Sequence, residues 1–203
     1  MISFLSRRIA LFLKDNDIID EETSQVCQYG FEIIISTIVG FLLVVFIGVC
    51  CGEIISAILF YIIFVGVRLF TGGYHALTHF RCKLLLCICC TFSVLSTKVF
   101  VSNYNFCVQS VIILLYLVTV LLFSPIEHKN APLDGFTKKR NRAISIIVSF
   151  ILSSVITFGY FELKKIAMVS SLTLLVVALL IMLSKFTERR DLDEKMCQEN
   201  SYS

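Results

Sequence analysis

Apolar residues in this chain fall into long runs, not into the one-face stripes of a soluble helical domain. Six runs stand out, at about 31–50, 54–70, 83–101, 108–124, 143–161 and 166–184. Each holds roughly 17–20 residues, near the ~20 needed to cross ~30 Å of hydrocarbon at ~1.5 Å per residue. The pattern predicts an all-α, polytopic membrane protein with about six transmembrane helices. The second run is the shortest. Between Glu53 and Arg68 its uninterrupted apolar part is only Ile54 to Val67. Such a span is expected to tilt, to thin the bilayer around it, or to be partly re-entrant.

The first thirty residues follow a different period. Over 2–14, Ile2, Leu5, Ile9, Phe12 and Leu13 share one helical face, with Phe4 at its edge. Ser3, Arg7 and Lys14 fall opposite, and Arg8 lies near the apolar edge, where its stem can snorkel. This predicts an amphipathic helix lying in the membrane interface, its cations near anionic headgroups. Asp15-Asn16-Asp17 ends it, and a more polar helical stretch over 18–30 leads into the first span.

Composition agrees. The chain has 203 residues, 57% of them hydrophobic and 16% charged, which excludes an ordinary soluble domain. No cleavable signal peptide is expected, because the first fifteen residues carry Arg7, Arg8 and Lys14 and lack a continuous apolar stretch with a cleavage site. The nine cysteines are odd in number and mostly lie in or beside apolar runs, unlike a secreted disulfide framework. Cys87 and Cys90 have CxxC spacing but no partner ligands, and read as small packing residues. The expected organisation is a single domain: an N-terminal segment 1–30, a transmembrane region 31–184 and a short polar tail 185–203 that frays.

Charge sets the expected orientation. Fifteen of the eighteen Lys and Arg residues lie in the N-terminal segment, the 68–83 and 125–142 loops and the tail. The other side holds only Lys98, Lys164 and Lys165. Basic residues accumulate on the cytoplasmic side, so both termini and the 68–83 loop are expected there. The cytoplasm keeps thiols reduced, which leaves Cys82 available.

Chemistry concentrates in Arg68–Cys82, which carries His75, His79, Gly72-Gly73, two arginines and a cysteine. A neighbouring imidazole can convert a thiol to the nucleophilic thiolate. In one straight helix His75 and Cys82 would share a face but lie ~10.5 Å apart along the axis, whereas His79 and Cys82, at i and i+3, would be neighbours. If the chain turns after Gly72-Gly73 and the helix starts near Thr78, His75 can fold back onto Cys82. Spacing alone leaves both histidines open.

The pattern Arg-x4-Gly-x-His-Ala-x5-Cys, here Arg68, Gly73, His75, Ala76 and Cys82, resembles the signature of the accessory gene regulator B (AgrB) family. Those proteins are membrane cysteine endopeptidases of Gram-positive quorum sensing. Chain length, hydropathy pattern and a loop with two prolines, Pro125 and Pro132, are similar too, so the resemblance covers most of the chain. It implies that Cys82 is the catalytic nucleophile and His75 its base, and hence that the helix does not run unbroken between them. It further implies cleavage of a short AgrD-like precursor through a Cys82 thioester, followed by cyclisation to a thiolactone or lactone. Arg68 and Gly73 occupy supporting motif positions. No metal or organic cofactor is implied. The expected partners are the precursor, the lipid bilayer and a second copy in a homodimer, with no nucleic acid.

The 125–142 loop offers Lys129, Lys138, Lys139 and Arg140 to the acidic end of such a precursor, and Glu127 or Asp134 as an orienting group for His75. A peptide exporter, which would pair ionisable residues within its spans, and an inert scaffold are the rival readings. A zinc protease is disfavoured, since no HExxH-like spacing occurs.

Overall fold

The computed structural model describes residues 2–16, 20–71, 79–123 and 135–201. Seven helices are present among them: α1 (Ile2–Asp15), α2 (Glu21–Cys51), α3 (Ile54–Thr71), α4 (His79–Phe100), α5 (Phe106–Phe123), α6 (Gly135–Glu162) and α7 (Lys164–Ser201). The described residues contain no strand. Five helices are long and apolar enough to cross a membrane, over Val26–Cys51, Cys82–Phe100, Phe106–Phe123, Arg142–Glu162 and Lys164–Phe186. The sixth apolar run is α3, whose apolar part is the shorter stretch Ile54–Val67. The protein is an all-α, multi-pass membrane protein.

One of the sequence expectations needs correction. The tail is not irregular after Lys185: α7 continues to Ser201. Its residues are charged, but no Gly or Pro interrupts them, and Glu, Arg, Lys and Met favour helix. In α1, the side chains buried against the protein are Ser6 and Ala10. Phe4, Leu5 and Phe12 stay exposed, as an interface-lying helix requires. Small residues win the contact because they let α1 approach α2 closely. The Arg8 guanidinium lies over the Phe4 ring, 4.9 Å from the centroid.

The short α3 is at the centre. It buries Ser56, Ala57, Phe60, Tyr61, Ile63, Phe64 and Val67, and packs against α2, α4, α6 and α7. The other central element is α7, which is apolar all round and has 72% of its span buried, against 17–33% for the other four long spans. The outer helices turn large apolar side chains outward, such as Ile38 and Phe46 of α2 and Leu122 of α5. In lipid that exposure is not penalised.

Polar pairs tie the helices where packing alone gives little direction. Tyr116 of α5 meets Ser149 of α6 at 2.7 Å, and Gln109 of α5 donates to the Ile156 carbonyl of α6 at 3.0 Å. Tyr104 meets Ser171 of α7 at 2.5 Å. Such ties contribute on the order of 0.6–2 kcal/mol each in a membrane.

One end of the bundle is closed by three tight turns. The α2–α3 turn passes through Gly52 at φ 68°, with the Glu53 N–H donating to the Gly48 carbonyl at 2.8 Å and the Gly52 N–H to the Val49 carbonyl at 3.1 Å, a Schellman arrangement. Lys98 donates to the Cys51 carbonyl at 2.8 Å, Lys164 to the Ser102 carbonyl at 3.1 Å, and Lys165 pairs with Glu53 at 2.6 Å. The three cations that the sequence puts on the cation-poor side thus lace its three turns together.

Backbone approach is closest at this end. A Cβ on Gly48 would stand 2.8 Å from the Ala57 Cβ and 3.0 Å from the Ile54 Cα. Gly48→Ala is therefore expected to destabilise the protein by about 1–3 kcal/mol, the usual cost of overpacking, read as a lower Tm in detergent. An unchanged Tm would mean that α2 and α3 do not pack this closely. The Lys165 bond also holds the Glu53 carboxyl below its ordinary value. A depressed folded pKa contributes stability that is present above the unfolded value, about 4.5, and is lost as pH falls through the folded one. Melting temperatures taken from pH 7 downward should therefore drop less steeply below about pH 4.5 in Glu53→Gln than in the parent, and identical acid limbs would refute the pairing.

Candidate functional site

The first turn of α4 carries the candidate nucleophile. The described part of the helix begins at His79, and Cys82 is its fourth residue, half-buried and not in a disulfide.

The other predicted residues are described to different extents. Arg68 lies in the last turn of α3, and α3 packs against α4; its side chain lies outside the described residues. His79 sits one helical turn before Cys82 on α4, again with its side chain outside them. Gly73, His75 and Ala76 fall outside the described residues altogether, as do Lys129, Glu127 and Asp134. Lys138 and Lys139 lie in the first turns of α6, of their side chains nothing is described, and Arg140 beside them is exposed. Arg142 reaches across to the Leu121 carbonyl of α5 at 3.4 Å. α3, whose last turn carries Arg68, packs against α4, whose first described turn carries His79 and Cys82, and the start of α4 meets α2 in one corner.

That corner contains a residue whose role the sequence pattern does not reveal. Lys83, directly after Cys82, sends its ammonium between the helices to donate to the Ser36 carbonyl of α2. One residue on, the Thr37 carbonyl accepts the Tyr61 hydroxyl of α3 at 2.6 Å. Gly40 leaves the space: a Cβ there would stand 3.1 Å from the Lys83 Nζ, 3.2 Å from the Leu86 Cδ2 and 3.4 Å from the Tyr61 hydroxyl. The Phe41 ring closes on Tyr61 edge-on, with centroids 5.6 Å apart. In the sequence Lys83 counts as one more loop cation. The available signal was a lysine just inside an apolar run, facing a helix with Ser36 and Gly40 four residues apart.

Other features serve the scaffold. Cys90 is buried in the core and Cys87 half-buried, as packing residues are. Among the described residues no three His, Cys, Asp or Glu side chains converge as a metal site would need. A cavity of about 800 Å³ lies between the α2–α3 and α6–α7 turns, lined by Glu53, Leu59, Lys165 and Ile166 among others. It is at the end of α3 remote from Cys82.

Comparison with known proteins settles the family. Residues 6–186 match the family described as Accessory gene regulator B. An AgrB-like protein of Clostridium perfringens strain SM101 is 28% identical over 145 residues, covering 69% of this chain and 68% of the relative. A second AgrB-like protein, from strain 13 of that species, is 27% identical over the same length and shares. No solved structure matches. The motif at Arg68–Cys82, the membrane bundle and a match running through nearly every helix lead to one conclusion: the chain belongs to the accessory gene regulator B family, and with it to agr quorum sensing.

Proposed function

We propose that the protein is a membrane-embedded cysteine endopeptidase that cleaves an AgrD-like precursor and promotes its cyclisation. The observation that carries this reading is a half-buried thiol outside any disulfide, Cys82, in the first described turn of a membrane helix within the family motif. His75 takes the thiol proton, and the sulfur attacks the scissile carbonyl carbon. The C–N bond breaks as the imidazolium returns the proton to the leaving amine, which leaves a thioester on Cys82. A Cys thiol or Ser hydroxyl within the precursor then attacks that thioester as the neutral His75 takes its proton. The new S–C or O–C bond closes the ring, the bond to Cys82 breaks, and Cys82 departs as a thiolate paired with the His75 imidazolium.

Exclusion of water supports this choice of chemistry. Exchange of a thioester for a thiolactone conserves the acyl bond energy, whereas hydrolysis dissipates it. A thiol set against packed helices is shielded from bulk water. Arg68, at the end of α3, holds a substrate carboxylate or the local backbone, and Gly73 supplies the turn. Lys129, Lys138, Lys139 and Arg140 attract the acidic end of the precursor. The working unit is a homodimer, with both termini and the site at the cytoplasmic face.

Protein in liposomes, incubated with the precursor and followed by mass spectrometry, tests the mechanism. Cys82→Ala and His75→Ala are expected to lose the acyl adduct and to slow cleavage by about 10²–10⁴-fold, while His79→Ala retains both. Loss with His79→Ala but not with His75→Ala would transfer the base to His79, and undiminished cleavage by Cys82→Ala would end the cysteine mechanism. Orientation has its own check. Reporter fusions after Pro132 and Ser203 are expected to signal the cytoplasm and one within 101–105 the opposite side; the reverse pattern would put Cys82 outside.

A further inference from the structure

We propose that Lys83 is a positioning residue for Cys82: anchored on the Ser36 carbonyl, its ammonium fixes the first described turns of α4 against α2. The proposal rests on Cys82 being the nucleophile.

Lysines near the end of a membrane span ordinarily snorkel to the headgroups. Lys83 is only four residues, about 6 Å, beyond the start of α4, well within snorkelling reach. It turns inward all the same and donates to a carbonyl of another helix. Placing a lysine cation in hydrocarbon costs about 2.5–3.5 kcal/mol at a helix centre, so this side chain needs a built receptacle. The receptacle has three parts: the Ser36 carbonyl as acceptor, Gly40 as the gap, and the Tyr61 hydroxyl bonded to Thr37 as the wall. Together they join α2, α3 and α4, the helices that carry or flank the site.

The covalent connection makes the anchor act on Cys82. Consecutive Cα atoms are about 3.8 Å apart, so holding Lys83 holds the backbone that presents the thiol. The attacking sulfur must reach ~3–3.5 Å from the scissile carbonyl, and a displacement of about 1 Å costs on the order of 10²-fold in rate.

The test is the rate of Cys82 alkylation by iodoacetamide at fixed pH in the full-length protein in liposomes, quantified on the Cys82 peptide by mass spectrometry. Lys83→Met, which releases the start of α4 from α2, is expected to raise that rate about threefold or more through local opening, and Lys83→Arg to restore it most of the way. Gly40→Val fills the gap that the ammonium uses and should reproduce the Lys83→Met increase, so the test survives if Lys83→Met does not fold. In the cleavage assay Lys83→Met should lower kcat at least tenfold with little change in KM. Equal alkylation rates for the parent, Lys83→Met and Gly40→Val would overturn the proposal. Alkylation needs no precursor: a raised rate in the variants of a protein whose parent form cleaves nothing would refute the peptidase reading and leave the Lys83 anchor standing.

Discussion

Lipid removes the force that normally gathers helices. An apolar face gains little by leaving lipid tails for another apolar face, so a membrane bundle is held by close contact and by polar groups with nowhere else to bond. Both devices centre on α3 here. Its small and aromatic side chains, from Ala57 to Val67, are enclosed by α2, α4, α6 and α7, and Glu53 at its start and Tyr61 in its middle are bonded outward to neighbouring helices. A helix with an apolar part of only Ile54–Val67 can be central because protein, not hydrocarbon, covers it.

That enclosure frames the corner where the chemistry collects. The start of α4 is held against α2 by Lys83 and against α3 by packing, and Arg68 sits at the matching end of α3. Cys82 is therefore carried on a regular helix backed by two others, a more exact mount than a loop would give. The opposite end has a different character. Its turns are short and its lysines are all committed to the Cys51 carbonyl, the Ser102 carbonyl and Glu53, so it serves cohesion while the cation-rich end presents reactive groups.

Much of this was legible in the sequence. The apolar runs gave the membrane-crossing parts of the helices to within a few residues, because burial in lipid demands length and apolarity whatever the neighbours are. The same fact explains what was hidden. Lipid-facing Phe46 and protein-facing Phe60 satisfy hydropathy equally, so the central positions of α3 and α7 could not be read from it. The tail was misjudged because a polar composition was taken for weak structure, although nothing in it breaks a helix. In α1 the large apolar residues drew attention, yet Ser6 and Ala10 make the protein contact. At the candidate site the spacing that marks Cys82 is local and readable, whereas the Lys83 anchor joins residues forty-seven apart in the chain and requires the fold.

The order in which the chain emerges gives the central place of α3 a further meaning. Synthesis delivers α3 before two of its four walls, with α2 and α4 beside it. The remaining walls, α6 and α7, begin 64 and 93 residues after the end of α3 (135 − 71 and 164 − 71), and the cation that neutralises Glu53 is Lys165, at the very start of α7. Until then the shortest span stands in the bilayer with Ser56 and Glu53 uncovered on one flank. The completed bundle is therefore a keystone structure in time as well as in space: a helix made late closes around one made early, and α3 is fully enclosed only once α7 is in place.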